Sequence, residues 1–209
     1  MKKTFIFCNN DYKDFHLDFT KLSGTIIAAD GGANFLCEIG IFPHILIGDC
    51  DSILPKNLEL LEKKSIVKKF PVDKDKSDTE LALDYCMKND FRDIVLINAL
   101  NGALSHSLAN LFLIEKYVEN RDINLHFLNR KNEIFVVKNH INLSTEIGSK
   151  ISLISLTNFV NVEEMSGLKF SLKNEKLFRK SSRGISNKCL EQKVSIKISS
   201  GILLVIKAR

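Results

Sequence analysis

The chain has 209 residues and a net charge of +5, and 44% of its residues are hydrophobic and 26% charged. This balance is typical of a globular protein and argues against an intrinsically disordered chain. The lysines and arginines are spread along the sequence without forming a block or a tail, so the surplus charge indicates solvated surface more than a nucleic-acid-binding face.

The first predicted element is a β-strand at Thr4–Cys8. Lys2 and Lys3 followed by apolar residues resemble the start of a signal peptide, but Asn9 and Asn10 end that run too early for one. No apolar segment approaches the length of a membrane span, and the five cysteines contain no CxxC pair. We therefore expect a cytoplasmic protein with reduced thiols, bound to neither a membrane nor a nucleic acid.

Short apolar runs alternate with longer amphipathic ones over roughly the first 130 residues. The candidate strands are Thr4–Cys8, Thr25–Ala29, Ile45–Ile47, Ile66–Phe70, Ile94–Ile97 and Asn124–Leu128. The candidate helices are Ala33–Ile39, Lys56–Lys63, Asp78–Lys88 and Leu104–Val118. Nearly continuous apolar strands are typical of strands buried on both faces. The alternation predicts an α/β fold with a mostly parallel, Rossmann-like sheet and helices on both sides.

The last of these helices carries an apolar stripe at the i, i+4, i+7, i+8 spacing of one helix face. The stripe consists of Leu104, Leu108, Leu111 and Phe112. We expect this face to be buried.

Helical patterns fade from about Glu133 onward, and short strands separated by turn residues replace them. The candidate strands are Ile134–Lys138, Lys150–Leu156, Val194–Ser199 and Ile202–Lys207. They predict a smaller antiparallel β domain, with domains at 1–131 and 132–209. A domain of this size has a marginal core alone, so we expect it to dock on the first domain or on another subunit.

Aspartates follow several of the predicted parallel strands. Asp30 follows Thr25–Ala29, and Asp49 and Asp51 follow Ile45–Ile47. Asp73, Asp75 and Asp78 follow the next strand, Ile66–Phe70, and the Asn98–His106 loop follows Ile94–Ile97. The carboxyl ends of parallel strands share one edge of the sheet, where ligands bind in open α/β folds.

Carboxylates that converge at such an edge repel each other, by about 4 kcal/mol for a pair 4 Å apart at an effective dielectric near 20. Magnesium relieves this repulsion and also binds substrate phosphates. The Asp49-Cys50-Asp51 turn therefore indicates a magnesium site, although an Asp-x-Asp motif alone is common in solvated turns.

Other polar segments at this edge have both structural and functional interpretations. Gly31 and Gly32 form either a simple turn or a backbone cradle for a phosphate. Ser77 and Glu80 match a helix capping box. Lys74 is either solvated or a phosphate contact, and His106 is either a phosphate ligand or a packed histidine.

Six segments, taken in order, resemble the thiamine pyrophosphokinase family. They are residues 29–34 (ADGGAN), 47–53 (IGDCDSI), 73–83 (DKDKSDTELAL), 106–111 (HSLANL), 166–172 (SGLKFSL) and 183–187 (RGISN). The resemblance implies an N-terminal α/β domain and a C-terminal β-sandwich in a homodimer. It also implies transfer of the pyrophosphoryl group of ATP to the hydroxyl of thiamine, giving thiamine diphosphate and AMP.

The resemblance also implies roles for individual residues. Magnesium and the ATP phosphates would lie among Asp30, Asp49, Asp51 and Asp78, of which Asp49, Asp51 and Asp78 would be catalytic. The ATP-binding set would be Asp30, Gly31, Gly32, Asn34, Lys74, Ser77 and His106. Ser186 and Asn187 would hold thiamine, and Phe170 would stack on its ring across the dimer interface.

The sequence departs from the family pattern in three segments, at four positions. Cys50 replaces an aromatic residue, and Phe170 replaces a tryptophan, which offers a cationic ring a weaker π-face. Ala103 and Ser105 stand where the family has an arginine and an aspartate, and Lys74, Arg179 or Arg183 could substitute for the missing arginine. Two alternatives stay open: a relative with another acceptor alcohol, and a thiamine- or nucleotide-binding protein that has lost catalysis.

Overall fold

The structure, a computed structural model, describes residues 2–119 and 122–209. The chain divides into two units, Met1–Arg130 and Lys131–Arg209. No helix in the described part of the chain has both the length and the apolar character of a membrane span.

The first unit contains a parallel sheet of six strands. The strands are β1 Lys3–Phe7, β2 Gly24–Ala29, β3 Ile45–Gly48, β4 Ile66–Lys69, β5 Asp93–Ile97 and β6 Asn124–Leu128. They lie in the order β6-β5-β1-β2-β3-β4, and each neighbouring pair is parallel. The helices are α1 Gly32–Glu38, α2 Pro55–Lys64, α3 Asp78–Lys88 and α4 Leu104–Val118, and a short 3-10 helix spans Phe19–Lys21.

The inner strands carry the core of this unit. Ile6, Ile27 and Leu46 are fully buried, as expected for strands covered on both faces. Strand β4 is different because it lies at the sheet edge, and Ile66 at its start is exposed. Its predicted extent agrees with the structure, but the expectation of burial on both faces is wrong for this strand.

Helix α4 presents the predicted apolar stripe to the outside. Leu104, Leu108 and Phe112 are 73%, 43% and 53% exposed. The buried residues of α4 are instead Asn110, Ile114, Tyr117 and Val118. The prediction of a buried Leu104–Phe112 face is therefore wrong: both sides of this helix are apolar, and the sequence pattern does not distinguish them.

The second unit contains eight antiparallel strands in the described residues. They are β7 Asn132–Val137, β8 His140–Ser144, β9 Lys150–Ser155, β10 Phe159–Ser166, β11 Lys173–Phe178, β12 Asn187–Lys188, β13 Lys193–Ser200 and β14 Leu203–Ala208. Within this unit they form two groups, β12-β9-β14-β7 and β11-β10-β13-β8. One hydrophobic cluster joins the two groups, with Leu153 and Val205 from the first and Val162 and Ile196 from the second. The predicted α/β fold with a smaller antiparallel β-sandwich is confirmed.

Candidate active site

The adjacent ends of β2 and β3 place the first aspartates side by side. Ala29 pairs with Ile47 at the end of the two strands, and the backbone N–H of Asp30 donates to the Ile47 carbonyl at 2.8 Å. Asp30 is only 2% exposed. The carboxylate that begins the loop after β2 is therefore held at the start of the loop after β3.

Three carboxylates converge at this point. Asp30, Asp49 and Asp51 each have an oxygen within 4.8 Å of the others. One Asp30 oxygen accepts a hydrogen bond from Asn9 Nδ2 at 3.1 Å, whereas its buried Oδ1 has no hydrogen-bond partner among the described residues. Because an unpaired buried carboxylate oxygen is costly, and clustered oxygens are the ligands that magnesium prefers, the cluster fits a divalent cation.

Gly48, which was not among the predicted site residues, permits this convergence. A Cβ atom at Gly48 would lie 2.9 Å from the Asp30 Cβ and 3.2 Å from Asp78 Oδ1. Any side chain at this position would push the two aspartates away from the end of β3. A glycine directly before an aspartate pair was the available sequence signal.

Lys74 links the cluster to Asp78. Its Nζ lies 2.5 Å from Asp49 Oδ2 and 2.9 Å from Asp78 Oδ1. The hydrogen bond from Lys74 lowers the pKa of Asp49. Burial raises the pKa of Asp78 and outweighs the opposing effect of Lys74. Burial lowers the pKa of Lys74, but its two aspartate partners make the net shift upward, so this lysine is a fixed positive charge among the carboxylates.

The start of α3 brings two further predicted residues to the site. Ser77 caps the helix, and its Oγ accepts from the Glu80 N–H at 3.2 Å. Glu80 does not complete the predicted capping box in the described contacts, because its side chain pairs with Lys116 at 2.6 Å. Asp78 is the first residue of α3.

The two glycines after Asp30 have a packing explanation. A Cβ atom at Gly31 would lie 2.3 Å from Asn9 Oδ1, and one at Gly32 would lie 2.2 Å from the Phe7 carbonyl oxygen. These glycines let the turn approach the end of β1. Their contact with ATP stays a prediction.

The side chain of Asn34 makes three hydrogen bonds to other described residues of the first unit. Its Oδ1 accepts from the Leu54 N–H at 3.0 Å and from Asn57 Nδ2 at 2.9 Å. Its Nδ2 donates to the Ser52 carbonyl at 2.8 Å. The predicted ATP ligand is thus tied to the loop that carries Asp49 and Asp51.

A cavity of about 310 Å³ lies in the first unit and is lined by Asp78, Ser77 and His106. Asn9 and Asn10 also line it, and Asn10 Nδ2 donates to the Asn98 carbonyl at 2.8 Å. Neither asparagine was among the predicted site residues. A pair of amide side chains directly after the first parallel strand was the signal that could have identified them.

The second unit holds a separate cavity of about 400 Å³, lined by Phe170, Asn187, Ile185, Lys169 and Arg183 among others. Asn187 accepts a hydrogen bond from the Phe170 N–H at 3.0 Å and donates one to the Phe170 carbonyl at 2.8 Å. It therefore fixes the backbone of the residue predicted to stack on the ligand. The predicted Ser186 is not among the residues that line the cavity.

Comparison with known proteins agrees with both units. Residues 16–127 match the family model of the thiamin pyrophosphokinase catalytic domain, and residues 138–203 match that of the thiamin pyrophosphokinase vitamin B1 binding domain. The chain is 26% identical to thiamine pyrophosphokinase of Bacillus subtilis over 87% of this chain and 86% of the relative. It is 25% identical to thiamin pyrophosphokinase 1 of Caenorhabditis elegans over 87% of this chain and 78% of the relative.

A solved structure gives the same result. The crystal structure of thiamine pyrophosphokinase from Bacillus subtilis matches with a TM-score of 0.84 and 25% identity over 99% of both chains. The two domain models together extend over most of the sequence, from residue 16 to residue 203. With these matches and the assembled aspartates, the chain belongs to the thiamin pyrophosphokinase family of ATP-dependent diphosphotransferases.

Proposed function

We propose that this protein transfers the pyrophosphoryl group of ATP to the hydroxyl of thiamine in a magnesium-dependent reaction, giving thiamine diphosphate and AMP. The observation that carries the proposal is the convergence of Asp30, Asp49 and Asp51. It lies at the carboxyl edge of a parallel sheet, the edge at which open α/β folds bind ligands. Family membership supports thiamine and ATP as the substrates.

Asp30, Asp49 and Asp51 would hold Mg²⁺, with Asp78 on the other side of Lys74. When bound, the ion supplies charge neutralisation for the phosphate oxygens. The residues of this chain then have the task of orientation. Phosphoryl-type transfer depends mainly on in-line placement of the attacking hydroxyl and on charge complementarity, without a covalent enzyme intermediate.

Lys74 is the best placed replacement for the arginine that the family carries near position 103. Arg179 is bound to Asn158 Oδ1 and the Leu156 carbonyl, and Arg183 pairs with Glu175 at 2.7 Å. Lys74 already lies among the site aspartates. When a divalent cation binds the carboxylates, the Lys74 side chain would be released from them and could contact the phosphates.

The cavity of the second unit would bind thiamine. Lys169 Nζ lies 5.3 Å from the centroid of the Phe170 ring, within the range of a cation–π contact. A ring that accepts an ammonium group in this way also suits the cationic thiazolium of thiamine. Ile185 and Leu172 would supply apolar contacts.

The proposal extends to a homodimer, in which Phe170 would face the site of the partner. The exposed Leu104, Leu108 and Phe112 of α4 support it, because contiguous exposed apolar side chains mark association surfaces.

The test of the metal site is substitution of Asp49 or Asp51 by Asn, which keeps the shape of the side chain and removes its charge. We expect kcat for thiamine diphosphate formation to fall by roughly 100-fold or more while the melting temperature changes little. Asp90→Asn is the matched control, because Asp90 follows the opposite end of α3 and is exposed. Full activity in both Asp49→Asn and Asp51→Asn would contradict the metal site.

A further inference from the structure

We propose that Asn34 is a positioning residue: it holds the loop of residues 49–54 in the geometry that metal binding needs and does not itself bind ATP. The inference rests on the proposed metal role of Asp49 and Asp51. In this proposal Asn34 acts on the metal site through its hydrogen bonds to the backbone of Ser52 and Leu54.

The hydrogen bonds of Asn34 use almost all of its capacity. The Leu54 N–H can only donate and the Ser52 carbonyl can only accept, so the orientation of the amide follows from its partners. Asn57 Nδ2 occupies the second acceptor direction of Oδ1. One N–H of Asn34 is left, so most of its hydrogen-bonding capacity serves the 49–54 loop and Asn57.

The 49–54 loop combines an unusual backbone conformation with contacts of three kinds: within itself, to the core, and to Asn34. Cys50 has φ +71, a conformation that residues with a side chain rarely adopt. The side-chain contacts within the loop join near neighbours only: the Asp51 N–H donates to Asp49 Oδ1 at 3.2 Å, and Ser52 Oγ donates to Asp51 Oδ1 at 3.0 Å. Burial of Cys50 and Ile53 in the hydrophobic core and the pairing of Lys74 with Asp49 fix other parts of the loop to the unit. The stretch from Ser52 to Leu54 is held by Asn34.

Asn34 ties Ser52 and Leu54 to helix α1, which is itself anchored in the core. Its neighbours in α1, Ala33 and Leu36, are fully buried. Asn57, in α2, is also buried, and its Nδ2 donates to Asn34 Oδ1 at 2.9 Å, which fixes the amide of Asn34 from the side of α2. The loop is thus held between two helices.

Metal affinity should depend on this support. Asp30 reaches the cluster from the end of β2, whereas Asp49 and Asp51 reach it from the 49–54 loop. A cation that binds all three gains affinity when the two segments are already in place, since ordering them costs free energy at the moment of binding. A more mobile loop should therefore lower the affinity for the metal and leave direct contacts with the nucleotide intact.

The experiment compares Asn34→Ala, Asn57→Ala and the control Asn161→Ala in the full-length chain. Asn161 lies in the second unit, where its side chain donates a hydrogen bond to Ser200 Oγ. Asn161→Ala therefore removes a hydrogen-bonded amide that has no contact with the loop. The two measurements are binding of Mn²⁺ alone by electron paramagnetic resonance, and hydrogen–deuterium exchange of residues 49–54 in the metal-free protein.

We expect Asn34→Ala to bind Mn²⁺ about tenfold more weakly and to exchange faster over residues 49–54. Asn57→Ala should show smaller changes in the same direction, and Asn161→Ala none. High Mg²⁺ should restore kcat of Asn34→Ala, a rescue that damage to an ATP ligand would not show.

Unchanged exchange over residues 49–54 in Asn34→Ala overturns the inference, as does a higher KM for ATP with unchanged Mn²⁺ affinity. If the wild type binds no Mn²⁺, the proposed metal site fails, and the exchange result alone decides the role of Asn34. If Asn34→Ala does not fold, Asn57→Ala decides it, because that variant removes one of the same bonds.

Discussion

At the scale of single residues, the site depends on groups that let others approach as much as on groups that bind. Gly48 leaves the end of β3 bare so that Asp30 and Asp78 can flank it. Asn9 holds one oxygen of Asp30 and leaves the other without a hydrogen-bond partner among the described residues. Burying the second oxygen of Asp30 without a partner costs free energy, and a bound cation would offset that cost.

Substitution of Gly48 by Ala tests the close approach. The new Cβ would contact the Asp30 side chain, and the backbone at φ +153 disfavours any residue other than glycine. We expect kcat to fall by roughly tenfold or more and the stability to fall by about 1–3 kcal/mol, measured by steady-state kinetics and thermal unfolding.

The control for this variant is Gly40→Ala, because Gly40 also has a positive φ, of +74, but a Cβ there would have no neighbour within 4 Å. It should lose stability through backbone strain alone and keep its activity. Equal activity losses in the two variants would show that strain, and not displacement of Asp30 and Asp78, is the cause.

The position of Asp30, Asp49 and Asp51 after neighbouring parallel strands predicted their convergence. Their role in binding a metal stays a prediction. The bonding of Asn34 was beyond the reach of the sequence. Two of its three partners are the main-chain groups of Ser52 and Leu54. Almost every residue type would offer the same groups, so the sequence of this loop carries no signal for the contact.

At the scale of elements, the inner strands were predictable and several outer elements were not. Strands such as β2 and β5 are continuous apolar runs, and burial on both faces leaves no other pattern. Four strands of the second unit were not predicted: β8, β10, β11 and β12. Strand β11 buries only Leu177, and a register shift in β10 between Val162 and Glu164 interrupts its alternation.

Helix α4 shows how an apolar pattern can predict a surface and not a core. Its Leu104, Leu108 and Phe112 form one face, and its buried residues form another. Hydrophobic periodicity identifies a face that avoids water. It does not say whether that face meets the core of its own chain or a second molecule.

Phe112→Glu tests α4 as the dimer surface. A charge placed in an apolar interface is costly to desolvate, so we expect the variant to sediment as a monomer near 23.7 kDa and the wild type at twice that mass. Leu60→Glu, at an exposed leucine of α2, is the matched control and should remain dimeric. A monomeric wild type, or dissociation of both variants, would contradict the assignment of this surface.

At the scale of the whole molecule, the two units divide the proposed reaction between them. The first carries the aspartate cluster and the cavity beside Asp78. The second carries the cavity at Phe170 and Asn187. The order of the six sequence segments predicted this division, because each motif belongs to one of the two family domains.

Whether the protein turns over its substrates depends most on Ala103 and Ser105, which stand where the family has an arginine and an aspartate. Ala103 precedes α4 and makes no side-chain cap, and it lines the cavity together with His106. If Lys74 replaces the missing arginine, the reaction proceeds with this loop as it is. If it does not, the protein still binds thiamine and ATP but does not convert them.

The most direct test is to incubate the purified protein with thiamine, ATP and Mg²⁺ and to quantify all products by mass spectrometry. We expect AMP and thiamine diphosphate in equal amounts, with no product when Mg²⁺ is omitted. ADP with thiamine monophosphate, or binding of both substrates without any AMP, would contradict pyrophosphoryl transfer as the function of this chain.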